Sequence, residues 1–441
     1  MNTPLEILLT PAKPALVDRP DARFQMLARL RALESSNASR TPLSLVIVID
    51  RSGSMAEDKI AAAKRCTIDL IARMSDDDEI GIVIYDHEVS TLLPLSAVAS
   101  VRSQAAQLMN RFDSRGNTDL HGGWLAGAEL LAPRAGSQRM CRVVLLSDGE
   151  ANHGLTNVGQ ICLQVAQLAK AGVTTSTVGI GLGFNEELMS AMAVAGQGTA
   201  MFGERPEDLV DPFDAEIGLL SQLAAREVSF EMRSSVCDLR EWKMHNEYAA
   251  QGEGVWRMPA IAMNSEGWVA LSAPMRMLID AQKKVDAPLL EFAVSLRDSN
   301  GTRHRLTHML PALPIVTSEV YDGMVEDSTV QRRFEEIAAA DLQMRAREAV
   351  NRGDWDEAEK LVEVLEGVGA KNAWLRSVVE ELKQMMKMRD QGRLAKELRY
   401  GAVHMRARLM QSFEPDSVEH EALATPFLRR KSVQGRRSDI K

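Results

Sequence analysis

The five-residue run Leu45–Ile49 (LVIVI) narrows the fold more than any other feature of the chain. It is continuous, apolar and mostly β-branched, without the polar alternation of a strand that has one wet face. Such runs belong to strands of a parallel sheet covered by helices on both sides. Asp58–Met74 then carries Ile60, Ala63, Thr67, Leu70 and Ile71 near helical spacing, which predicts the first covering helix. The alternation continues. Strands are expected at Ile80–Tyr85, Val89–Leu93, Arg142–Leu146 (RVVLL), Val173–Ile180 and Met201–Phe202. Helices are expected at Ala99–Phe112, Leu120–Leu131, Val158–Ala171, Glu186–Ala195 and Pro206–Ala225. Strands and helices taking turns predict an α/β domain with a doubly wound, mostly parallel sheet over 41–225.

The flanks have a different texture. Residues 226–320 hold short β-like runs, Val228–Met232, Trp268–Leu271, Leu289–Leu296 and Arg303–Leu310, separated by turn signals such as Asn300-Gly301. They predict a small β-sandwich. Residues 1–40 offer a strand at Pro4–Thr10 and a strand or short helix at Phe24–Leu33. A lone strand cannot satisfy its own backbone, so this segment is expected to pair with the β domain, leaving the α/β domain as an insertion. Residues 326–412 predict helices at Val330–Asn351, Trp355–Leu365 and Ala373–Met410. Ala346–Leu365 resembles one tetratricopeptide-like hairpin, and a single unit argues for a docked bundle or hairpin rather than a repeat array. The tail, 413–441, reads as disordered and basic.

Charge and composition remove whole function classes. The 441 residues carry 52 Lys and Arg against 61 Asp and Glu, a net charge of −9, which argues against nucleic acid or an anionic membrane as partner. Aromatic residues make up 5%, too few for base-stacking platforms. No stretch approaches the ~18 apolar residues of a membrane span, and no leader is legible at the start, so a cytoplasmic location is expected. The four cysteines share no metal or disulfide spacing and are expected as reduced thiols.

The chemistry concentrates at the ends of predicted strands. Asp50-Arg51-Ser52-Gly53-Ser54 follows the first buried run, and in a doubly wound sheet ligands bind beyond the carboxyl ends of the strands. The glycine between the serines is expected to permit a tight loop. Gly116-Asn117-Thr118-Asp119 precedes a helix, and Ser147-Asp148-Gly149 follows RVVLL. Two carboxylates and three hydroxyls are hard oxygen donors, suited to Mg²⁺, Mn²⁺ or Ca²⁺.

Together these residues resemble the metal-ion-dependent adhesion site of von Willebrand factor type A (VWA) domains, whose pattern is Asp-x-Ser-x-Ser, a distant Thr and an Asp in a Ser/Thr-Asp-Gly turn. Asp50, Ser52, Ser54, Thr118 and Asp148 fill the five positions. The resemblance implies direct coordination of a metal by Ser52, Ser54 and Thr118. It also implies that Asp50 and Asp148 act through water and that a partner protein supplies the last carboxylate. The flanks are similar to those of bacterial VWA proteins related to inter-alpha-trypsin inhibitor heavy chains.

Other signals carry less. Asp76-Asp77-Asp78-Glu79 reads as a solvated turn at the opposite strand ends, and His121 and His153 as rim residues. His304 and His308 share a strand face but lie too far apart for a compact site. No Walker loop and no nucleophile elbow is present, so no enzyme activity is expected. The 23 methionines, with Met385, Met386 and Met388 clustered, read as core filler. Thr425-Pro426, ahead of the basic tail, would suit phosphorylation and a phosphothreonine-binding partner. The expected function is a metal-dependent adaptor gripping an Asp or Glu of a protein partner. The alternatives are an accessory of a MoxR-type AAA+ ATPase or of a Ser/Thr kinase–phosphatase system, and a metal-dependent phosphohydrolase.

Overall fold

The computed structural model describes residues 3–33, 40–56, 58–148, 151–181, 184–203, 220 and 222–389, except 247, 253, 264, 286 and 369–372, together with 391, 394, 395, 398, 399 and 402. The expected basic tail with Thr425, Gly149 of the third loop, and most of the helix expected at Pro206–Ala225 lie outside the described residues. The described residues divide into two compact units, one within 40–222 and the other formed by 3–33 and 223–402.

Three strands, β1 (Leu5–Pro11), β2 (Leu16–Val17) and β3 (Arg23–Ala32), precede the central unit. That unit holds β4 (Leu43–Asp50), β5 (Glu79–Tyr85), β6 (Val89–Ala97), β7 (Met140–Ser147), β8 (Val173–Ile180) and β9 (Gln197–Gly203). Its sheet has the order β6-β5-β4-β7-β8-β9, with β6 antiparallel and the other neighbours parallel. All eight residues of β4 and all eight of β7 are buried, which is why each contains an apolar run without alternation, Leu45–Ile49 in β4 and Val143–Leu146 in β7. The chain passes from β4 to β5 on one side and later to β7 on the other. The ends of β4 and β7 therefore flank the point where strand order reverses.

Helices α1 (Asp58–Arg73), α4 (Leu120–Leu131), α5 (Val158–Lys170) and α6 (Glu186–Ala195) supply the covering layers. The helix expected at Ala99–Phe112 is broken into α2 (Val98–Val101), a 3₁₀ turn at Arg102–Gln104 and α3 (Ala105–Met109). The Ser100 hydroxyl donates to the Ala97 carbonyl at 2.7 Å, one of the side-chain bonds that compete with helix continuity. α4 lies close on the sheet. A Cβ at Gly127 would stand 2.4 Å from Val48 Cγ2, so only glycine admits this approach. Leu223–Ala225, expected as helix, is the start of a strand.

The acidic run at 76–79 is not a solvated turn throughout. Asp78 is fully buried and accepts both arms of Arg40 at 2.7 and 2.6 Å, with Leu43 N–H at 2.8 Å and Ser75 N–H at 2.9 Å. Glu79 pairs with Arg134 and Arg139 and accepts from Ser44. These carboxylates fix the entrances of β4 and β5, because a buried carboxylate needs partners on most of its lone pairs.

The second unit is largely antiparallel. It contains β10 (Leu223–Arg233), β11 (Lys243–Met244), β12 (Ala249–Gly252), β13 (Val255–Arg257), β14 (Ile261–Ala262), β15 (Glu266–Pro274), β16 (Leu290–Asp298), β17 (Arg303–Leu310) and β18 (Ile315–Val316). One sheet runs β1-β3-β15-β11 and another β12-β13-β10-β16-β17, so β3 pairs with a strand more than 200 positions later. Their shared core includes Phe24, Phe230, Trp242, Leu271 and Phe292, with Phe230 and Phe292 stacked at 5.3 Å.

An unexpected helix, α7 (Met275–Lys284), buries Met275, Leu278 and Ile279, an i, i+3, i+4 set that is visible in the sequence. After α8 (Ser318–Gly323) come α9 (Ser328–Arg352), α10 (Trp355–Val368) and α11 (Ala373–Met388). Asp327 caps α9 and Gly353 ends it at φ 76°. Among the described residues, no helix is long and apolar enough to cross a membrane.

Candidate metal centre

Asp50 closes β4 at the reversal point, and the chain then turns sharply. Met55 N–H donates to the Ser52 carbonyl at 3.0 Å, and the 3₁₀ turn Gly53–Met55 is pinned by the fully buried Met55 side chain. Asp50 Oδ1 accepts the Ser52 N–H at 2.8 Å, and its Oδ2 accepts the Ser147 hydroxyl at 2.7 Å from the end of β7. Ser52 Oγ lies 3.1 Å from Ser54 Oγ, and Ser54 Oγ donates to Asp148 Oδ1 at 2.9 Å. Four of the five expected oxygen donors are thus joined in one hydrogen-bonded chain, with Ser147 as a further link.

Thr118, the fifth, is also buried, but no hydrogen bond links its hydroxyl to the other four. Its loop is tied in through backbone. Arg115 N–H donates to the Arg51 carbonyl at 2.6 Å, and Gly53 N–H donates to the Gly116 carbonyl at 3.0 Å. Asn152 Oδ1 accepts the Thr118 N–H at 2.9 Å, and Asp119 caps α4 by accepting the Gly122 N–H. Gly53 itself does not adopt the left-handed conformation; a Cβ there would meet only the Gly116 carbonyl, at an ordinary 3.5 Å. The tight loop therefore rests on hydrogen bonds and the Met55 anchor rather than on glycine's freedom.

The site is buried at its base and open at its lip. Asp50, Ser52, Thr118 and Asp148 are buried, whereas Gly53 and Ser54 are exposed. Burial pushes the Asp50 carboxyl above its ordinary range; its bonds from Ser147 and Ser52 oppose this, and the Asp148 charge adds to the rise. The fully buried Tyr85 phenol is pushed well up by burial and then by the Asp50 charge. Two carboxylates in one buried pocket call for positive charge.

Part of that charge comes from within the chain. Lys59 in the first turn of α1 forms an ion pair with Asp148 Oδ2 and donates to the Ser54 carbonyl at 3.1 Å. The donor set of hard oxygens, and an ammonium already seated on one of its carboxylates, together fit a cation site.

Asp86, directly after β5, is a further buried carboxylate, one that was not among the residues expected from the sequence. It accepts Glu88 N–H at 2.6 Å and pairs with Arg115 Nε at 2.8 Å and Arg51 Nε at 3.0 Å. Burial pushes it up, but the Glu88 N–H and the two arginines outweigh that and hold it below its ordinary value. Asp86, His87 and Glu88 bring three ligand atoms within 4.8 Å of one another, yet both carboxylates are already paired with arginine. This group ties the loops together. The signal that could have found it is the rule that located Asp50, an acid at the carboxyl end of a core strand. His121 bonds Gln164 at 2.9 Å, and the exposed His153 stands 3.9 Å from Asp119.

Residues 44–214 match the von Willebrand factor type A domain. An uncharacterised protein of Synechocystis is 27% identical over 195 residues, 44% of this chain and 45% of that protein. The uncharacterised protein YfbK of Escherichia coli is 27% identical over 227 residues, 50% of this chain and 38% of that one. Inter-alpha-trypsin inhibitor heavy chain H1 of Mesocricetus auratus is 28% identical over 171 residues, 37% of this chain and 19% of that one. The chain thus spans less than half the length of these relatives. Among solved structures, a von Willebrand factor type A protein from Catenulispora acidiphila superposes with a TM-score of 0.68 at 16% identity, covering 87% of this chain and 90% of that one. The ArnB paralog VWA2 from Sulfolobus acidocaldarius gives 0.61 at 17% identity, covering 91% and 98%. The shared property is the fold. The central unit is a VWA domain, a class generally associated with protein–protein interaction and often with divalent cations.

Proposed function

We propose that this protein is a metal-dependent adaptor whose VWA domain holds a divalent cation, Mg²⁺, Mn²⁺ or Ca²⁺, and through it an Asp or Glu of a protein partner. The observation that carries this reading is the chain Asp50–Ser52–Ser54–Asp148, buried at its base and opening at Ser54. Ser52, Ser54 and Thr118 would offer hydroxyl oxygens to the ion, and Asp50 and Asp148 would orient those hydroxyls and balance charge. Neutral hydroxyl ligands leave such an ion electrophilic, and the bound ion supplies a directional seat for an outside carboxylate. The protein's own contribution is positional: Ser147 and the Ser52 N–H fix Asp50, and the Arg51–Asp86–Arg115 group sets the two loops against each other.

The same geometry favours binding over turnover. Arg51, the cation nearest the loop in sequence, would be the natural phosphate ligand of a phosphohydrolase, but its guanidinium is committed to Asp86. Calorimetry with Mg²⁺ and Mn²⁺ tests the reading. A single site in the wild type, lost in Asp50→Ala/Ser52→Ala with the fold retained, supports it, as does chelator-sensitive partner retention by the wild type alone. A flat titration of the wild type overturns it, and Mg²⁺-dependent phosphate release from an aryl phosphate would replace it with hydrolysis.

A further inference from the structure

Both oxygens of Asp148 are engaged by groups of the chain itself. Ser54 Oγ donates to Oδ1, and the Lys59 ammonium sits on Oδ2 while also donating to the Ser54 carbonyl. The lysine therefore lies against the same residue that would offer a hydroxyl to the ion. Its stem is guided there. A Cβ on Gly181, which has φ 76° just beyond β8, would stand 3.0 Å from Lys59 Cε and 3.7 Å from Nζ. Any side chain at 181 would press on the lysine stem at Cε.

We propose that Lys59 is an intrachain counter-cation of this site, exchanging with the divalent ion at Asp148. The inference rests on the metal-site reading above. Two buried carboxylates carry two negative charges. Lys59 balances one of them and a divalent ion balances both, whereas the two cations together would place three positive charges against two negative ones in a confined pocket. Coulomb repulsion at such separations is large enough to expel one of them. Lys59 can leave, because its side chain is 34% exposed and has a flexible four-carbon stem with solvent beside it. In the absence of metal it keeps Asp148 from standing buried and unpaired, which would otherwise loosen the Ser54 loop. The lysine thus sets a threshold of metal concentration below which the domain stays assembled but closed to a partner's carboxylate.

The test uses the full chain and Mn²⁺ alone. Lys59→Met keeps the stem over Gly181 and removes the charge; it is expected to bind Mn²⁺ about tenfold tighter than the wild type by calorimetry. In the wild type, mass-spectrometric mapping of amine acetylation is expected to show Lys59 more reactive in saturating Mn²⁺ than in chelator. Both results are required. Equal or weaker Mn²⁺ affinity in the variant, or Lys59 reactivity unchanged by Mn²⁺, overturns the exchange while wild-type binding leaves the adaptor reading standing. No Mn²⁺ binding by the wild type overturns both.

Discussion

Ser54 Oγ and Asp148 Oδ1 are 2.9 Å apart although 94 positions separate the residues in the chain. The contact joins the loop after β4 to the loop after β7, two neighbouring parallel strands whose carboxyl ends open on one side of the sheet. Ser54→Ala removes both this bond and a hydroxyl donor at the lip. Because Ser54 is exposed, the stability cost is expected to stay within about 1 kcal/mol, while Mn²⁺ affinity falls by about tenfold or more. Thermal unfolding and calorimetry on the same preparation separate the two effects.

Asp86 governs the register of the two loops. Asp86→Asn leaves Arg51 and Arg115 without their shared carboxylate and is expected to cost about 2 kcal/mol. That lies below the usual penalty for breaking a buried pair, since Arg115 is half exposed and screened. Metal affinity should fall with it, because Gly53 and Gly116 lose their alignment.

The same carboxyl gives a pH signature. Its folded-state value is held below the ordinary 3.8, so the stabilisation is present above that value and is lost as pH falls through the folded one. Unfolding temperatures measured from neutral pH down past 3.8 should therefore drop less steeply for Asp86→Asn than for the wild type. A parallel drop would mean that Asp86 carries no charge-dependent share.

Much of the central unit was legible because its signals are unbroken. LVIVI and RVVLL show no alternation, and Asp50 and Asp148 stand where those runs end, so strand placement also placed the chemistry. Lys59 was not legible. A lysine near the start of an amphipathic helix looks like any solvated residue, and only the folded arrangement of β7 and α1 brings it to Asp148. Asp78 was misread for a related reason, since its partner Arg40 lies 38 positions upstream and no local pattern pairs them. Helix α7 was overlooked because its neighbours read as strands, although Met275, Leu278 and Ile279 carry the helical period.

Gly53 is expected to tolerate alanine. Its backbone is not left-handed, and the new methyl group would meet the Gly116 carbonyl at 3.5 Å, an ordinary contact. Gly53→Ala should leave unfolding free energy within about 0.5 kcal/mol and Mn²⁺ affinity unchanged. A loss of affinity by calorimetry with the fold retained would show that the loop needs glycine after all.

Gly127→Ala should behave in the opposite way. Alanine is the better helix former by about 1 kcal/mol, so propensity alone predicts stabilisation. Packing decides otherwise. The added Cβ would lie 2.4 Å from Val48 Cγ2 and 3.4 Å from Val46 Cγ1, both on the buried central strand β4. Valine has little χ1 freedom with which to yield, so α4 must rise from the sheet, at a net cost of about 1 to 3 kcal/mol. α4 begins at Leu120, two positions after Thr118, and its Asp119 cap is part of the same loop. Lifting the helix should therefore also displace Thr118 from the Asp50–Ser54 loop. Denaturant unfolding checks the first effect and Mn²⁺ calorimetry the second; a stability loss with unaltered affinity would show that Thr118 is held by Asn152 and the Gly53–Gly116 bond rather than by the helix behind it.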